Sequence, residues 1–322
     1  MSAYKFVLPL LALCSNALAA GPSLDLATVN DPALRDEVGR KASAAAVLRA
    51  QVLLERAHFS VGEIDAGYGS NTRKAILAWQ TRMGLEATGR LDEASWAKLN
   101  EDVNPILASY TLTAQDVQGP FLKLPTDMMD KAKLEALGFE SAAEALGEKF
   151  HASPKLLARL NPGKDLSLSG EVLIVPIVEP TQALAKAAKV VVDRSDSALT
   201  VLDADGVVMG YFPASTGSEH DPLPVGEWSI KGVAPNPEFF YSPELFWDAD
   251  PTHAKAKIPP GPNNPVGVAW IDLSKEHYGI HGTPAPSRVG KTESHGCIRL
   301  TNWSAAALAL VVGPGTPAIL QE

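Results

Sequence analysis

The residues best suited to chemistry lie close together near the end of the 322-residue chain. His281 is followed by Gly282, and a second group reads Ser294-His295-Gly296-Cys297. A cysteine attacks as the thiolate, so its thiol needs a base within reach at neutral pH. The two histidines are the nearest candidates for that base, and the glycine after each leaves room for a substrate carbonyl. The pattern indicates acyl transfer by a cysteine nucleophile.

Acyl transfer also requires a group that orients the base and donors that stabilise the oxyanion. His281 follows the apolar segment 278–280, which predicts a strand that holds the imidazole on a fixed backbone. The segment 283–293 is polar and contains two prolines, so it can fold back as a loop and bring Cys297 to His281. Backbone N–H groups of Gly296 and Cys297 are the candidates for the oxyanion hole.

The overall composition limits the classes of partner. Hydrophobic residues make up 46% of the chain and charged residues 20%, enough for two or three domains that each bury a core. A net charge of −9 disfavours binding of nucleic acid through a basic surface. The histidines at 58, 151, 220, 253 and 277 are scattered, with no His-Glu-x-x-His pair. We expect no nucleic-acid partner, no metal site and no cofactor.

Residues 1–20 have the pattern of a secretory signal peptide. One charge, Lys5, precedes an apolar run over 6–13, and small residues follow at 17, 19 and 20. Cleavage after Ala19 or Ala20 removes Cys14 and leaves Cys297 alone, and a single cysteine in an exported protein is either reactive or a dimer bridge. No later segment reaches the roughly 20 apolar residues that span a bilayer, so we expect a secreted protein without an integral membrane segment.

Residues 44–100 predict a small bundle of three helices. Apolar residues recur at intervals of three and four in three segments, which glycine-rich turns separate. This stretch resembles the type 1 peptidoglycan-binding domain, a family of three-helix modules that bind the cell wall. The resemblance rests on Gly62-x-x-Asp65-x-x-Tyr68-Gly69, Thr72-x-x-Ala75, Trp79-Gln80 and Thr88-Gly89-x-Leu91-Asp92.

Residues 134–178 predict a second small unit, after a connector over 103–133 that is rich in Pro, Thr and Asp. Segments 141–150 and 154–160 are helix-like, and 171–176 is strand-like. The unit resembles a degenerate LysM domain, a family that binds glycans containing N-acetylglucosamine. The resemblance rests on 148–153, Leu156-Leu157-x-x-Leu160-Asn161-Pro162, Gly170 and 173–176, and the usual opening strand with Gly-Asp-Thr-Leu is absent. Retained glycan binding is therefore an open question.

From residue 187 the periodicity changes to that of an antiparallel β domain. Short branched apolar segments at 189–193, 198–202, 207–212 and 227–230 are separated by Asp, Ser and Gly, and Asp203-Ala204-Asp205-Gly206 predicts a hairpin turn. The segment 234–266 is rich in proline and aromatic residues, which predicts a functional loop, either a lid or a wall of the substrate groove. A helix over 303–312 and a strand over 315–320 close the chain.

Residues 187–322 resemble the L,D-transpeptidase (YkuD-type) catalytic domain. The signature is a histidine, a loop, then Ser/Thr-His-Gly-Cys followed by Arg or Asn, here His281, 294–297 and Arg299. Supporting matches are Ser215-Thr216-Gly217, Pro222-x-Pro224-x-Gly226-x-Trp228 and Ile258-Pro259-Pro260-Gly261-Pro262-x-Asn264-Pro265-x-Gly267. This resemblance implies a mostly-β fold for residues 187–322. Together with the two resemblances above, it implies a multidomain protein with a three-helix bundle, an α+β LysM-like unit and this catalytic domain.

The resemblance also implies a reaction on peptidoglycan. Cys297 attacks the peptide bond after the third residue of a stem tetrapeptide, a diamino acid, releases D-alanine and holds the stem as a thioester for an amine acceptor. Matching positions make His281 the base, the Gly282 carbonyl its orienting group and the Gly296 and Cys297 amides the oxyanion hole. Ser294 and His295 shape the pocket. Arg299 pairs either with a substrate carboxylate or with an internal acid that holds the loop.

Three questions stay open at the level of sequence. The acceptor is another stem peptide or a lysine of an outer-membrane lipoprotein. Water as the acceptor would make the protein an L,D-carboxypeptidase instead. A non-catalytic protein that binds the wall is a further alternative, which the intact His281 and Cys297 oppose. In each case the partners are stem peptides and glycan, and the location is the periplasm or cell wall.

Overall fold

The computed structural model describes residues 24–322. The predicted signal peptide and Cys14 lie outside the described residues. Within residues 24–322, no helix combines the length and the apolar character needed to cross a bilayer.

The N-terminal unit is a bundle of short helices. Two tryptophans on different helices, Trp79 and Trp96, are buried in its core, as expected of large side chains in a small bundle. The helices begin where side chains cap them: Ser43 and Asp92 accept hydrogen bonds from backbone N–H groups of the first turns of the second and fourth helices. The elements are α1 (Leu26–Asn30), α2 (Ala44–Arg56), α3 (Ser70–Arg82) and α4 (Glu93–Leu99).

The next unit has two strands, two helices between them and an inserted short helix. The first strand pairs antiparallel with the last, with Leu107 opposite Pro176. The sequence placed this first strand in a connector, because its partner lies far along the chain and five residues carry little pattern of their own. The elements are β1 (Leu107–Thr111), α5 (Met128–Lys131), α6 (Ala142–Lys149), α7 (Pro154–Leu160) and β2 (Val172–Pro176).

The C-terminal domain contains ten strands and one helix. They are β3 (Lys189–Asp193), β4 (Ala198–Leu202), β5 (Val208–Pro213), β6 (Gly226–Pro235), β7 (Phe239–Tyr241), β8 (Ala256–Ile258), β9 (Ala269–Leu273), β10 (Gly279–His281), β11 (Ile298–Arg299), α8 (Asn302–Val311) and β12 (Pro317–Gln321). Eight of the strands form one sheet in the order β11-β10-β9-β6-β12-β3-β4-β5, and β7 pairs separately with β8.

The expectation of a purely antiparallel sheet is wrong. Strand β10 pairs parallel with β11, and β12 pairs parallel with β3. Parallel neighbours need a crossover rather than a tight turn. The loop 282–297 makes the first crossover, and that loop carries the Ser-His-Gly-Cys motif.

The two N-terminal units pack directly against the C-terminal domain. Tyr211 of β5 is buried in the same core as the helical bundle, and its backbone N–H and carbonyl bond to His58 and Ser60. The carbonyl and N–H of Leu137 bond to Asn263 and Pro260. The helical bundle and the second unit therefore share one hydrophobic core, to which β5 adds Tyr211, whereas the C-terminal sheet and α8 bury a separate core.

Candidate active site

The parallel pairing of β10 and β11 brings the two motifs together. In its register Ile280 lies opposite Ile298, and His281 lies opposite Arg299. Continuing the register by one residue puts Cys297 beside Gly279. Alternate residues of a strand share one face of the sheet, so Cys297 and His281 project to the same face, two residues apart along adjacent strands.

The imidazole of His281 is held in one tautomer. Its Nδ1 lies 2.6 Å from the carbonyl oxygen of Gly282. A carbonyl only accepts, so Nδ1–H is the donor and Nε2 carries the lone pair. The ring of Trp270 stacks on the imidazole with centroids 5.5 Å apart and planes at 19°. Strand β9 supplies this tryptophan, which lies opposite His281 in the sheet register.

Burial sets the charge state of this base. Burial, and after it the positive charge of Arg299, lower the pKa of His281 to about 3, against the opposing effect of the bond to the Gly282 carbonyl. The imidazole is therefore neutral at physiological pH. A neutral imidazole with a lone pair on Nε2 can accept the proton of a thiol.

Cys297 rests as a thiol. Its Sγ lies 3.8 Å from the carbonyl oxygen of His277, to which the S–H donates. Burial raises the pKa of Cys297, while the amide of Gly279 and the charge of Arg299 oppose that rise. The two side chains on this face of the sheet are therefore a neutral thiol and a neutral imidazole, and no thiolate–imidazolium pair is preformed.

The turn before Cys297 is fixed by short contacts. The hydroxyl of Ser294 donates to the Cys297 carbonyl at 2.5 Å, and the Ser294 amide donates to the Thr216 carbonyl at 2.8 Å. Gly296 has φ of +91°, and a Cβ there would lie 2.7 Å from the Tyr278 ring. Only glycine suits this position, because the left-handed backbone and the ring both exclude a side chain.

His295 faces away from the sheet, toward the segment 239–258, which we call the lid. Its Nε2 lies 3.0 Å from Asp248 Oδ1, and the Phe246 ring packs edge-on at 5.3 Å. Trp247, 62% exposed, lies 6.1 Å from the imidazole by ring centroids. The proline-rich aromatic segment therefore contacts the Ser-His-Gly-Cys motif, and its role as a lid or as a wall of the substrate groove stays a prediction. Of the two candidate bases, His281 lies on the sheet face shared with Cys297.

Arg299 shares the sheet face of Cys297 and His281, because it lies opposite His281 in the register of β10 and β11 and two residues after Cys297. Within the part of the chain that the structure describes it forms no ion pair, which contradicts the internal salt bridge that the sequence left open. Its Nη2 lies 3.5 Å from Nδ1 of His295. Burial lowers the pKa of Arg299, but the guanidinium of arginine stays charged in proteins.

Sequence reasoning missed three residues at this site. Trp270 covers the face of His281, Asp248 holds His295, and Asn302 fills the space against Gly282. The alternation of strand 269–273 would have placed Trp270 on a face but not beside His281, because that depends on sheet register. The other two contacts join segments that are far apart in sequence.

No metal centre is formed by the residues described: positions 24–322 hold no group of three or more His, Cys, Asp or Glu placed to bind an ion. A cleft of about 720 Å³ opens between the second unit and α8, and neither His281 nor Cys297 lines it. Its walls include Tyr110, Asp116, Phe139, Lys149 and Trp303.

Two family models match the chain. The L,D-transpeptidase catalytic domain matches residues 187–320, and the putative peptidoglycan binding domain matches residues 43–99. The chain is 29% identical over 175 residues to a putative L,D-transpeptidase YkuD of Bacillus licheniformis, covering 54% of this chain and 89% of that protein. It is 32% identical over 139 residues to a putative L,D-transpeptidase YqjB of Bacillus subtilis, covering 41% and 70%.

Among solved structures, an L,D-transpeptidase from Mycobacterium smegmatis is similar, with 24% identity and a TM-score of 0.35. That match covers 48% of this chain and 65% of the other.

Proposed function

This chain belongs to the L,D-transpeptidase family, and from that premise we propose that Cys297 and His281 carry the acyl transfer on peptidoglycan stem peptides. The observation that supports the assignment most is the tautomer of His281. Its Nδ1–H is fixed on the Gly282 carbonyl, and its Nε2 lone pair lies on the sheet face shared with Cys297.

In the first half of the reaction, Sγ of Cys297 attacks the carbonyl carbon of the third stem residue while His281 Nε2 takes the thiol proton. The tetrahedral intermediate collapses, the C–N bond to D-alanine breaks, and His281 returns the proton to the leaving amine. The product is a thioester of the stem on Cys297. In the second half, an acceptor amine attacks the thioester, His281 takes its proton, and the thiol is regenerated.

Three further assignments complete the proposal. The amides of Gly296 and Cys297 stabilise the oxyanion, since Gly296 lies at a turn in the left-handed region. Ser294 and His295 shape the pocket, the first through the Cys297 carbonyl and the second through the lid. Arg299 pairs with a substrate carboxylate, consistent with the absence of an ion pair to it within residues 24–322.

The acceptor is the side-chain amine of a second stem or a lysine of an outer-membrane lipoprotein. Both are amines, and both must reach a thioester beneath the lid. Water as the acceptor would give L,D-carboxypeptidase action. The aromatic side chains of the lid, Phe246 and Trp247, lie against His295, where they would hinder access of water to the thioester.

The accessory units direct the enzyme to its substrate. The three-helix unit matches a peptidoglycan-binding family, so we place the protein outside the cytoplasm, in the periplasm or at the wall, after removal of the signal peptide over 1–20. Apart from the inserted α5, the second unit has a strand–helix–helix–strand order with β1 paired to β2, which supports the LysM-like assignment. The cleft beside it, with aromatic walls and polar groups, is suited to a glycan.

Incubation with purified tetrapeptide muropeptides tests the proposal. Mass spectrometry of the products should show cross-linked dimers and free D-alanine with the wild type and neither with Cys297→Ala. Tripeptides without dimers would establish hydrolysis instead, and unchanged products with Cys297→Ala would exclude the cysteine as nucleophile. A carbapenem should add its mass to the wild type and not to the variant.

A further inference from the structure

A carboxylate of the accessory region contacts the catalytic domain immediately behind the base. The side-chain amide of Asn302, the first residue of α8, donates from Nδ2 to Glu148 Oε1 at 3.0 Å and to the Pro262 carbonyl at 3.1 Å. Glu148 lies on α6, 154 positions earlier in the chain. Asn302 is buried, so its amide depends on these protein acceptors.

The side-chain amide of Asn302 also packs against Gly282, the residue whose carbonyl orients His281. Asn302 Oδ1 accepts the backbone N–H of Val268 at 3.3 Å. It also occupies the space where a Cβ on Gly282 would lie, and the Cα of Asn302 is 3.3 Å from that point. The Gly282 carbonyl in turn accepts Nδ1–H of His281. Glu148, Asn302, Gly282 and His281 therefore form one continuous series of contacts.

We infer that Glu148 is a positioning residue for the catalytic base: it fixes the Asn302 amide, which keeps the Gly282 carbonyl aimed at Nδ1 of His281. The inference rests on the proposed role of His281. It makes the accessory region part of the catalytic apparatus in addition to its role in wall binding. Small displacements of a catalytic group can reduce the rate strongly, so a contact behind Gly282 is enough to matter.

The effect depends on an acceptor oxygen rather than on charge. Burial raises the pKa of Glu148 to about 7, and the nearby carboxyls of Glu144 and Glu63 act in the same direction, whereas the Asn302 amide opposes them. Glu148 therefore changes protonation near neutral pH. Either form offers an oxygen to the Asn302 amide, so a glutamine should replace it.

Glu144 is a matched control on the same helix. It lies one turn before Glu148, and its Oε1 also accepts an asparagine amide of the catalytic domain, Asn263 Nδ2, at 2.7 Å. The other bond of that amide is to the Gly138 carbonyl, away from Gly282. Loss of this contact should disturb the interface between the units without reaching His281.

The experiment compares Glu148→Ala, Glu148→Gln and Glu144→Ala in the full chain. Steady-state kinetics on muropeptides give kcat and KM, and ¹⁵N-histidine NMR reports the Nδ1–H signal of His281, assigned with a His281→Asn variant. We expect Glu148→Ala to lower kcat about tenfold or more with KM changed by less than about threefold, and to shift the Nδ1 signal. Glu148→Gln should recover kcat to within about twofold, and Glu144→Ala should keep both kcat and the signal.

If Glu148→Ala does not fold, a second pair of variants tests the contact between Glu148 and Asn302. Asn302→Asp sets two carboxyls against each other and should lower kcat. Adding Glu148→Gln restores a donor–acceptor pair of reversed direction, and kcat should recover at least in part.

Equal kcat and an unshifted Nδ1 signal in Glu148→Ala and Glu144→Ala would overturn the inference, as would no recovery in the double variant. Failure of the proposed function is distinct: the wild type would be inactive or Cys297→Ala would be as active as the wild type. The NMR signal reads the positioning independently of turnover.

Discussion

His295 Nε2 lies 3.0 Å from Oδ1 of Asp248, so the Ser-His-Gly-Cys motif is joined to the lid by a polar contact at the rim of the site. Asp248 is the residue after Trp247, whose ring also packs near His295. The contact therefore couples the position of the exposed Trp247 side chain to the loop that carries the Ser-His-Gly-Cys motif. Both partners retain solvent exposure, so the contact contributes little to global stability.

Asp248→Ala should loosen the lid without unfolding the protein. We expect a loss of less than about 1 kcal/mol in the free energy of unfolding, because exposed ion pairs contribute about that much at most. Hydrogen exchange of the amides over 246–250 should become faster, measured by mass spectrometry. Glu244→Ala is the control, since its carboxylate pairs with Lys255 within the lid and does not contact the motif. Equal exchange rates of these amides in both variants would show that the contact with His295 does not hold the lid in place.

The thiol of Cys297 should react slowly at neutral pH. Burial raises the pKa of Cys297 above the ordinary thiol value, so the thiolate fraction at neutral pH is smaller than that of a free thiol. The rate of alkylation by iodoacetamide should keep rising as pH passes the ordinary thiol range of about 8–9. The measurement is the alkylation rate of the free enzyme as a function of pH, compared with the same curve for a small thiol. A plateau near pH 7 would instead indicate a preformed thiolate–imidazolium pair.

Trp270→Ala should raise the pKa of His281. Burial is the largest cause of the low pKa, and the Trp270 ring covers one face of the imidazole. We expect a rise of about one unit or more, read by ¹⁵N-histidine NMR, and a loss of about 2–4 kcal/mol in stability. Trp228→Ala is the control: this ring bonds to the Pro224 carbonyl elsewhere in the same sheet. It should destabilise the protein without moving the His281 pKa.

Local patterns in the sequence predicted much of this fold. Strands 189–193 and 198–202 and helix 154–160 are found with the predicted bounds, because each has a clear local periodicity. Of the motif at 294–297, the Ser294 hydroxyl bonds to the Cys297 carbonyl, and the catalytic roles predicted for the motif stay predictions. What local pattern could not supply was pairing at long range: the partner of β1, the parallel register of β10 with β11, and the contact of Trp270 with His281.

Asn71 illustrates the limit for a single residue. Asparagine is one of the residue types that cap helices, and Asn71 lies in the first turn of α3. In the structure α3 already begins at Ser70, and the Asn71 side chain instead donates to the Val289 carbonyl of the catalytic domain. Its residue type fits both roles, and only the docking of the two units decides between them.

The stability of the protein should fall in acid because of His281. Its folded pKa of about 3 lies below its ordinary value of 6.5, so between these values the unfolded chain binds a proton that the native protein does not. Stability therefore rises with pH across this window and is complete above about 6.5. Glu148, whose pKa is raised to about 7, contributes with the opposite sign between pH 4.5 and 7.

His281→Asn separates the two effects, because Glu148 is present in both proteins and cancels in the difference. When the pH is lowered from 7.5 to 4.5, the free energy of unfolding of the wild type should fall by about 2–3 kcal/mol more than that of the variant. This follows because the unfolded chain protonates His281 over about two pH units in which the native protein does not. Urea unfolding at the two pH values measures this difference. An equal loss in both proteins would mean that His281 takes up its proton in the native state near its ordinary pKa.

The last prediction concerns the contact that links the helical unit to the catalytic loop. Asn71 is buried, and its Nδ2 donates to the Val289 carbonyl at 2.9 Å. Gly290, which follows Val289, has φ of +71°, and a Cβ on it would lie 2.7 Å from Asn71 Oδ1. Asn71→Ala leaves that buried carbonyl without its donor, which should cost about 1–3 kcal/mol. Because Val289 lies on the loop that leads to Ser294, acylation of Cys297 by a carbapenem should also slow.

Lys74→Ala is the matched control for Asn71→Ala. It removes another bond from α3 to the catalytic domain, Lys74 Nζ to the Asp196 carbonyl at 2.6 Å, but that bond is exposed and lies away from the loop. Urea unfolding and stopped-flow acylation should show a smaller loss of stability and an unchanged rate. If the two variants acylate at the same rate, the helical unit supports the fold of the domain without acting on the loop that carries the motif.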